Sequence, residues 1–339
     1  VTPGGPSLPL TIRLGRSDDM RAEIVLQVAC GDAGSGERLH LEGTLVGPRR
    51  GRDTTLPTTV KLVDITGDRP IDGSGQYALA RAVFTEPAFW TPELPNLYRL
   101  QARVHGGDRT VAVYDEMIGL RRLGVRGRSL WLEGRRWVPR GLTIATKGFD
   151  PIALRSLSAA AVIDDPSEAI CKAADQAGVA IIAVLRGAND QPFERDTAAR
   201  RIAAWALHPS VVLAVVPRLA SDEQSAAIVA AARPLKGTML MGLEVDGTQP
   251  PDAVPSAGIG GVDCLIVSLP CEGLPHDEWR SCRADKPLVA WRATTTAQGT
   301  PAEHRQECDR IQASLAAWGL AREAGHLSWD WAGYLSAAW

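Results

Sequence analysis

Val179-Ala180-Ile181-Ile182-Ala183-Val184-Leu185, a helical stretch over Asp196 to Leu207, then Val211-Val212-Leu213-Ala214-Val215-Val216: this β–α–β passage decides the fold of the second half of the chain. Apolar runs of this length, bounded by polar residues and separated by a helix, are buried strands of a parallel sheet. The same rhythm holds on both sides. Val138 to Ile144, Ala159 to Ile163, Thr238 to Val245, Val262 to Leu269, Pro287 to Trp291 and His326 to Trp331 read as further strands. Pro166 to Ala177, Asp222 to Ala232 and Pro301 to Leu320 read as helices, with Asp196 and Asp222 as N-caps and Gly178 and Gly237 as stops. Eight strands alternating with helices predict a reduced (β/α)8 TIM barrel over 126–339. A doubly wound sheet is the alternative.

The first part of the chain has another rhythm. Glu23 to Val28, Leu39 to Leu45, Thr59 to Val63, Tyr77 to Val83, Leu97 to Val104 and Thr110 to Tyr114 alternate or run apolar over strand lengths. Gly, Pro, Asp and Ser separate them, so residues 1–125 are expected to form an antiparallel β-sandwich of immunoglobulin-like type. Gly47 to Thr55 reads as a loop within it. The fold class is thus multidomain, β followed by α/β.

Bulk properties exclude several roles. The 339 residues carry a formal net charge of -2, too little basic field to hold nucleic acid. No apolar run reaches the roughly 18 residues a membrane helix needs, and the start of the chain has no signal-peptide pattern. A cytoplasmic location follows as the expectation, with a peripheral place at a membrane surface as its variant. Cys30, Cys171, Cys264, Cys271, Cys282 and Cys308 form no C-x-x-C pair and fit no zinc spacing, so they read as plain buried thiols. No cofactor and no metal is expected.

Six segments carry a resemblance to a known family. Phe89-Trp90-Thr91-Pro92-Glu93-Leu94-Pro95-Asn96-Leu97-Tyr98 is similar to W-x-P-x-x-P-x-L-Y, and Ile118-Gly119-Leu120-Arg121 to F-G-x-R. Leu130 to Gly141 resembles x-L-N-G-K-P-x-x-L-R-G, and Ala174-Asp175-Gln176-Ala177-Gly178-Val179 resembles C-D-E-L-G-L/I. His208-Pro209-Ser210-Val211-Val212 matches H-P-S-V-I/V, and Gly325 to Trp331 resembles G-G-F-x-W-D-W. In this order the motifs resemble glycoside hydrolase family 2, the β-galactosidase and β-glucuronidase family, over about residues 20 to 335. No counterpart of that family's N-terminal sugar-binding jelly roll is expected within these residues.

The resemblance implies two catalytic carboxylates, because retaining glycosidases need an acid/base and a nucleophile about 5 Å apart. Counting from His208 places the acid/base at Leu219, after Arg218. Counting from Lys286-Pro287 places the nucleophile at Arg292. Leucine and arginine neither shuttle a proton at neutral pH nor form a glycosyl ester. The family's R-T-S-H-Y-P is replaced by Ala161-Val162-Ile163-Asp164-Asp165-Pro166, and Thr146 to Asp150 leads almost directly into a helix. On these positions the chain is expected to be no enzyme but a pseudoglycosidase, a structural or interaction subunit of a larger assembly. The exposed-looking Arg121, Arg122, Arg126, Arg128, Arg135 and Arg136 would form its docking face. One assembly with a glycosidase-like extrinsic subunit is the bacterial photosynthetic reaction-centre and light-harvesting complex, a link that no motif of the chain establishes.

Two other readings stand beside this one. Trp291, Trp329 and Trp331 suit a sugar-stacking floor of a carbohydrate-binding protein, or else fill the barrel core. Asp164, Asp165, Glu244, Asp246 and Asp330 offer displaced acids for an active glycosidase, or else are solvated loop acids. Arg218 and Arg292 would pair with Asp164, Asp165 or Asp330, or else bind an anion.

Overall fold

The computed structural model describes residues 8–31, 39–51, 53, 55–65, 76–144, 148–186, 194–218, 222–232, 238–253, 259–280, 286–293, 299–320 and 331–338. The chain divides into two compact units, Val1–Arg122 with Ala206–Pro209, and Leu123–Trp205 with Ser210–Trp339.

Among the described residues the first unit is built from eight strands, β1 (Leu10–Ser17), β2 (Arg21–Gly31), β3 (Leu39–Arg49), β4 (Thr58–Lys61), β5 (Val63–Asp64), β6 (Gln76–Thr85), β7 (Leu97–Gly106) and β8 (Arg109–Ile118). They form two four-stranded antiparallel sheets ordered β1-β2-β6-β5 and β4-β3-β7-β8. Alternation explains the sandwich. Ala22, Ile24, Leu26 and Val28 on β2 and Leu100, Ala102 and Val104 on β7 all point into one buried cluster. Phe84 and Tyr98 meet edge to face with centroids 4.9 Å apart, joining β6 of one sheet to β7 of the other. The Tyr98 hydroxyl accepts the Ala88 N–H at 2.9 Å. β1 was not among the expected strands; its alternation of Leu10, Ile12 and Leu14 with Thr11, Arg13 and Gly15 is short and only partly buried.

The tryptophan–proline motif is a scaffold for this unit. Trp90 is fully buried, and its backbone N–H donates to Leu120 O at 2.6 Å. Thr91 and Leu94 exchange hydrogen bonds of 3.0 Å, closing the loop, and Asn96 Nδ2 donates to Phe89 O at 2.9 Å. Arg121 is buried, and its guanidinium donates to the carbonyls of His208 and Ala206, residues that cluster with this unit. Arg121 therefore belongs to no exposed docking face, which corrects the expectation for that residue.

The second unit opens with a three-stranded ribbon, β9 (Leu123–Arg126), β10 (Ser129–Leu132) and β11 (Arg135–Trp137). Eight parallel strands then close into a barrel: β12 (Arg140–Thr143), β13 (Ala160–Asp164), β14 (Ile181–Val184), β15 (Val211–Val216), β16 (Leu240–Asp246), β17 (Cys264–Leu269), β18 (Leu288–Arg292) and β19 (Gly333–Ser336). The α-helices among the described residues are α1 (Pro151–Ser156), α2 (Glu168–Ala177), α3 (Arg195–Ala206), α4 (Asp222–Ala232) and α5 (Pro301–Leu320). Asp150 caps α1, Ser167 caps α2, and Gly178 closes α2 in the left-handed conformation at φ 75°. Thr300 and Glu303 form a reciprocal capping box at the start of α5. Gly237 lies outside the described residues.

The eighth strand is corrected: it is β19, not His326 to Trp331. The aromatic residues drew the expected strand too early, and residues 321–330 lie outside the described residues. In β19 itself, Gly333 is required because a Cβ there would lie 2.6 Å from Pro139 Cγ. A glycine and a serine at the two ends hide the strand from propensity reasoning.

The helix end and the turn before β15 are tied together. Asp175, buried on α2, accepts the Ser210 N–H at 2.9 Å, and Ser210 Oγ donates to Cys171 O at 3.3 Å. Two of the sequence motifs thus meet in one hydrogen-bonded junction.

Barrel closure leaves no room at Gly141, where an added Cβ would come 2.5 Å from Leu335 Cδ2 and 2.8 Å from Val162 Cγ2. Gly141→Val should destabilise the protein by about 1–3 kcal/mol through overpacking. The check is the thermal unfolding midpoint, which should fall; an unchanged midpoint would refute this packing of the lumen.

Candidate functional site

In a parallel ladder, residues in register share a face, so one inward residue fixes the rest. An added Cβ on Gly141 would touch Leu335, Val162 and Ile182, side chains of β19, β13 and β14, which therefore face the lumen. Register carries that face from Asp164 to Val184, from Val215 to Gly242, from Glu244 to Ile266, from Asp246 to Ser268 and from Ser268 to Trp291. Asp164, Glu244, Asp246 and Ser268 thus lie on the inward face toward the C-terminal ends of their strands. Side chains from this end build the sites of such barrels.

Each acid has a cationic neighbour from an adjoining segment. Arg186, two residues beyond β14, donates through Nε to Asp164 Oδ2 at 3.0 Å. Arg201 on α3 donates to Asp165 Oδ2 at 2.5 Å. Arg218, two residues beyond β15, gives its backbone N–H to Glu244 Oε2 at 3.1 Å and its guanidinium to Asp246 Oδ2 at 2.7 Å. Asp164 is about two-fifths exposed (38%), so its pairing with Arg186 is shared with solvent. Its Oδ1 is buried and has no hydrogen-bond partner among the described residues.

Burial pushes the Asp164 carboxyl above the usual aspartate range, against the pull of Arg186. Asp165 is raised for the same first reason, against its bond to the Arg186 N–H and the charge of Arg201. Asp246 goes the other way. Burial would raise it, but the Thr248 hydrogen bonds and Arg218 hold it below the ordinary value. The mouth therefore holds carboxyls pushed in opposite directions, an arrangement that separates acid from base.

Arg218 and Arg292 were expected to pair with Asp164, Asp165 or Asp330; for Asp164 and Asp165 this is corrected, and Asp330 lies outside the described residues. Arg218 pairs with Asp246. Arg292 ends β18 out of phase with inward-facing Trp291, and reaches Glu307 on α5 at 3.2 Å and Gly273 O at 2.7 Å. Trp291 is 8% exposed, with its indole N–H donated to Ala337 O at 2.8 Å, and Trp331 is buried too. Leu219, Trp329 and Asp330 lie outside the described residues. Arg186 and Arg201 are site residues that sequence reasoning missed. The signal was Arg186 standing two residues past an apolar strand whose neighbour ends in Asp164.

Cysteine chemistry does not contribute here. Burial pushes the Cys171 and Cys308 thiols up to about 12 and raises Cys264 as well, so these thiols stay protonated at neutral pH. Cys271 is exposed, and Cys30 and Cys282 fall outside what is described of side chains. Among the described residues no group of three or more His, Cys, Asp or Glu is placed to hold a metal ion. No helix among them is long and apolar enough to cross a membrane.

Residues 10–121 match the family model "Glycosyl hydrolases family 2". A β-galactosidase of Leuconostoc mesenteroides subsp. mesenteroides is 29% identical over 86 residues, 24% of this chain and 8% of that protein. Among solved structures, a glycosyl hydrolase family 2 member from Bacteroides cellulosilyticus shares the fold at TM-score 0.67 and 16% identity, over 98% of this chain and 46% of that one. A β-glucuronidase from Ruminococcus gnavus, in complex with a C6-substituted uronic isofagomine, does so at 0.65 and 15%, over 98% and 61%. Bacteroides uniformis β-glucuronidase follows at 0.61 and 12%, over 97% and 45%. The chain spans about half the length of these structures and less than a tenth of the curated relative.

These matches correct the expectation that the chain is no enzyme. The matched family is one of hydrolases, the similar structures named above are glycosidases, and nothing among them points to catalytic loss. The expectation rested on Leu219 and Arg292 at the family's usual strand ends, on the altered second strand and on the short segment after the first, with the displaced acids kept as a separate reading. The described mouth instead carries inward acids on β13 and β16.

The raised acids make a signed prediction. A native carboxyl with a raised pKa keeps its proton where the unfolded chain has lost it, so stability falls as pH rises from about 4 through the native value. Asp164→Asn removes that penalty. Its thermal midpoint should exceed wild type at pH 7, and the gap should close below pH 4; a lower midpoint at pH 7 would reverse the sign of the argument.

Proposed function

We propose that this chain, similar in its first unit to glycosyl hydrolases of family 2 and in fold to β-glucuronidases, acts on glycosidic bonds with acids carried on β13 and β16. The observation that carries this reading is the inward placement of Asp164, Glu244 and Asp246 at the C-terminal mouth of a closed parallel barrel. Fold likeness alone would not suffice, since one barrel hosts many chemistries.

Glycoside hydrolysis needs one carboxylic acid and one carboxylate on either side of the bond. Asp164 fits the acid: burial favours its protonated form, and Oδ1 is the oxygen without a charged partner among the described residues. In the reaction its proton passes to the glycosidic oxygen as the bond from that oxygen to the anomeric carbon breaks. Glu244 supplies the counterpart, either taking a proton from the attacking water or bonding the anomeric carbon itself, as the separation of the carboxyls dictates. Trp291 on the same inward face forms the floor below them. The substrate class is a β-glycoside, in keeping with the activities that the similar proteins are named for.

Purified protein should release nitrophenol from at least one member of a panel of nitrophenyl β-glycosides, including galactoside and glucuronide. Asp164→Asn and Glu244→Gln should each lower kcat by about 10²–10⁴-fold, the usual share of acid–base catalysis. No release across the panel, or variants as active as wild type, would overturn the proposal.

A further inference from the structure

The end of β13 carries two adjacent acids with different surroundings, and one residue couples them. Asp165 holds φ at 41°, in the left-handed region that non-glycine residues rarely adopt. Such strain persists where surrounding bonds over-determine it. Here those bonds converge on the Arg186 peptide. Asp165 N–H donates to Val184 O at 3.0 Å, and Asp165 Oδ1 accepts the Arg186 N–H at 3.2 Å. Arg201 NH1, from α3, donates both to Asp165 Oδ2 at 2.5 Å and to Arg186 O at 2.8 Å. Both polar groups of the Arg186 backbone are therefore held, one by Asp165 and one by Arg201. The side chain that leaves this held backbone points its Nε at Asp164 Oδ2, 3.0 Å away.

We infer that the Asp165–Arg201 ion pair is a clamp on the Arg186 peptide, which aims the Arg186 guanidinium at Asp164 Oδ2 and leaves Oδ1 to carry the Asp164 proton. Arg186, Asp165 and Arg201 are then positioning residues for the acid. The inference rests on the reading of Asp164 as that acid. The geometry has the required asymmetry: Oδ2 is bound to a cation, whereas Oδ1 is buried without a partner among the described residues. A buried oxygen without a donor is far less costly when it bears the proton than when it shares a negative charge. The charges acting on Asp164 are those of Arg186 from beyond β14 and Asp165 beside it, with Arg201 of α3 behind them.

The test reads the titration of Asp164 itself, by ¹³C NMR of the aspartate carboxyl carbons, with the signal assigned by its loss in Asp164→Asn. An arginine within this distance lowers a carboxyl by about one unit or more, so Arg186→Met should move the midpoint up by about one unit. Arg201→Met should move it the same way by about half a unit or more, because Arg186 is no longer held. Arg201→Lys should keep the wild-type midpoint, since one nitrogen makes both of the Arg201 bonds. Arg201→Gln, shorter and neutral, repeats the loss should the methionine variant fail to fold. A midpoint unmoved in the folded methionine or glutamine variant would overturn the clamp, as would a lysine variant that behaves like methionine. The readout does not depend on hydrolysis, so a chain inactive on every glycoside would sink the proposed function while leaving the clamp to stand or fall on its own titration.

Discussion

Everything at the barrel mouth depends on the closed register of eight parallel strands. Gly141 admits Val162, Ile182 and Leu335 into the lumen because it has no side chain of its own. From that point the ladder leaves no freedom: β13 must turn Asp164 inward, and β16 must turn Glu244 and Asp246 inward. A slip of one residue in any strand would send its acids to the helices and its outward side chains to the lumen. Arg292 illustrates the other phase. One residue past Trp291, it turns to α5 and pairs with Glu307.

Inward acids at a partly buried rim are costly unless neighbours compensate them. The compensation comes from adjoining segments, Arg186 for Asp164 and Arg218 for Glu244 and Asp246. It is uneven, and that matters for chemistry. Asp246 is over-compensated by Thr248 and Arg218 and sits low, while Asp164 is under-compensated and sits high. Carboxyls displaced in opposite directions are what separate acid and base roles draw on.

Much of the fold was legible because buried strands announce themselves. Val211 to Val216 is six apolar residues, and all six are buried. Gly178 was legible as a helix stop because only glycine takes φ 75° without strain. β19 was not legible: its glycine is dictated by Pro139, a partner nearly two hundred residues away in sequence. The site was legible in part. Asp164, Asp165, Glu244 and Asp246 stood out as rim acids, but their partners did not, since Arg186 and Arg201 reach them across strand and helix rather than along the chain. The misjudged step was enzymatic status. The family's usual positions, the altered second strand and the short first loop outweighed the rim acids, which were read as displaced catalytic acids or as solvated loop acids.

The central claim is that the inward acids of β13 and β16 face a sugar. The most direct measurement is a crystal structure of the Asp164→Asn protein soaked with nitrophenyl β-glycosides. A pyranose should lie in the barrel mouth above Trp291, with its glycosidic oxygen within hydrogen-bond reach of residue 164 and Glu244 near its anomeric carbon. A sugar bound elsewhere, or a mouth that stays free of sugar at every concentration used, would contradict the account.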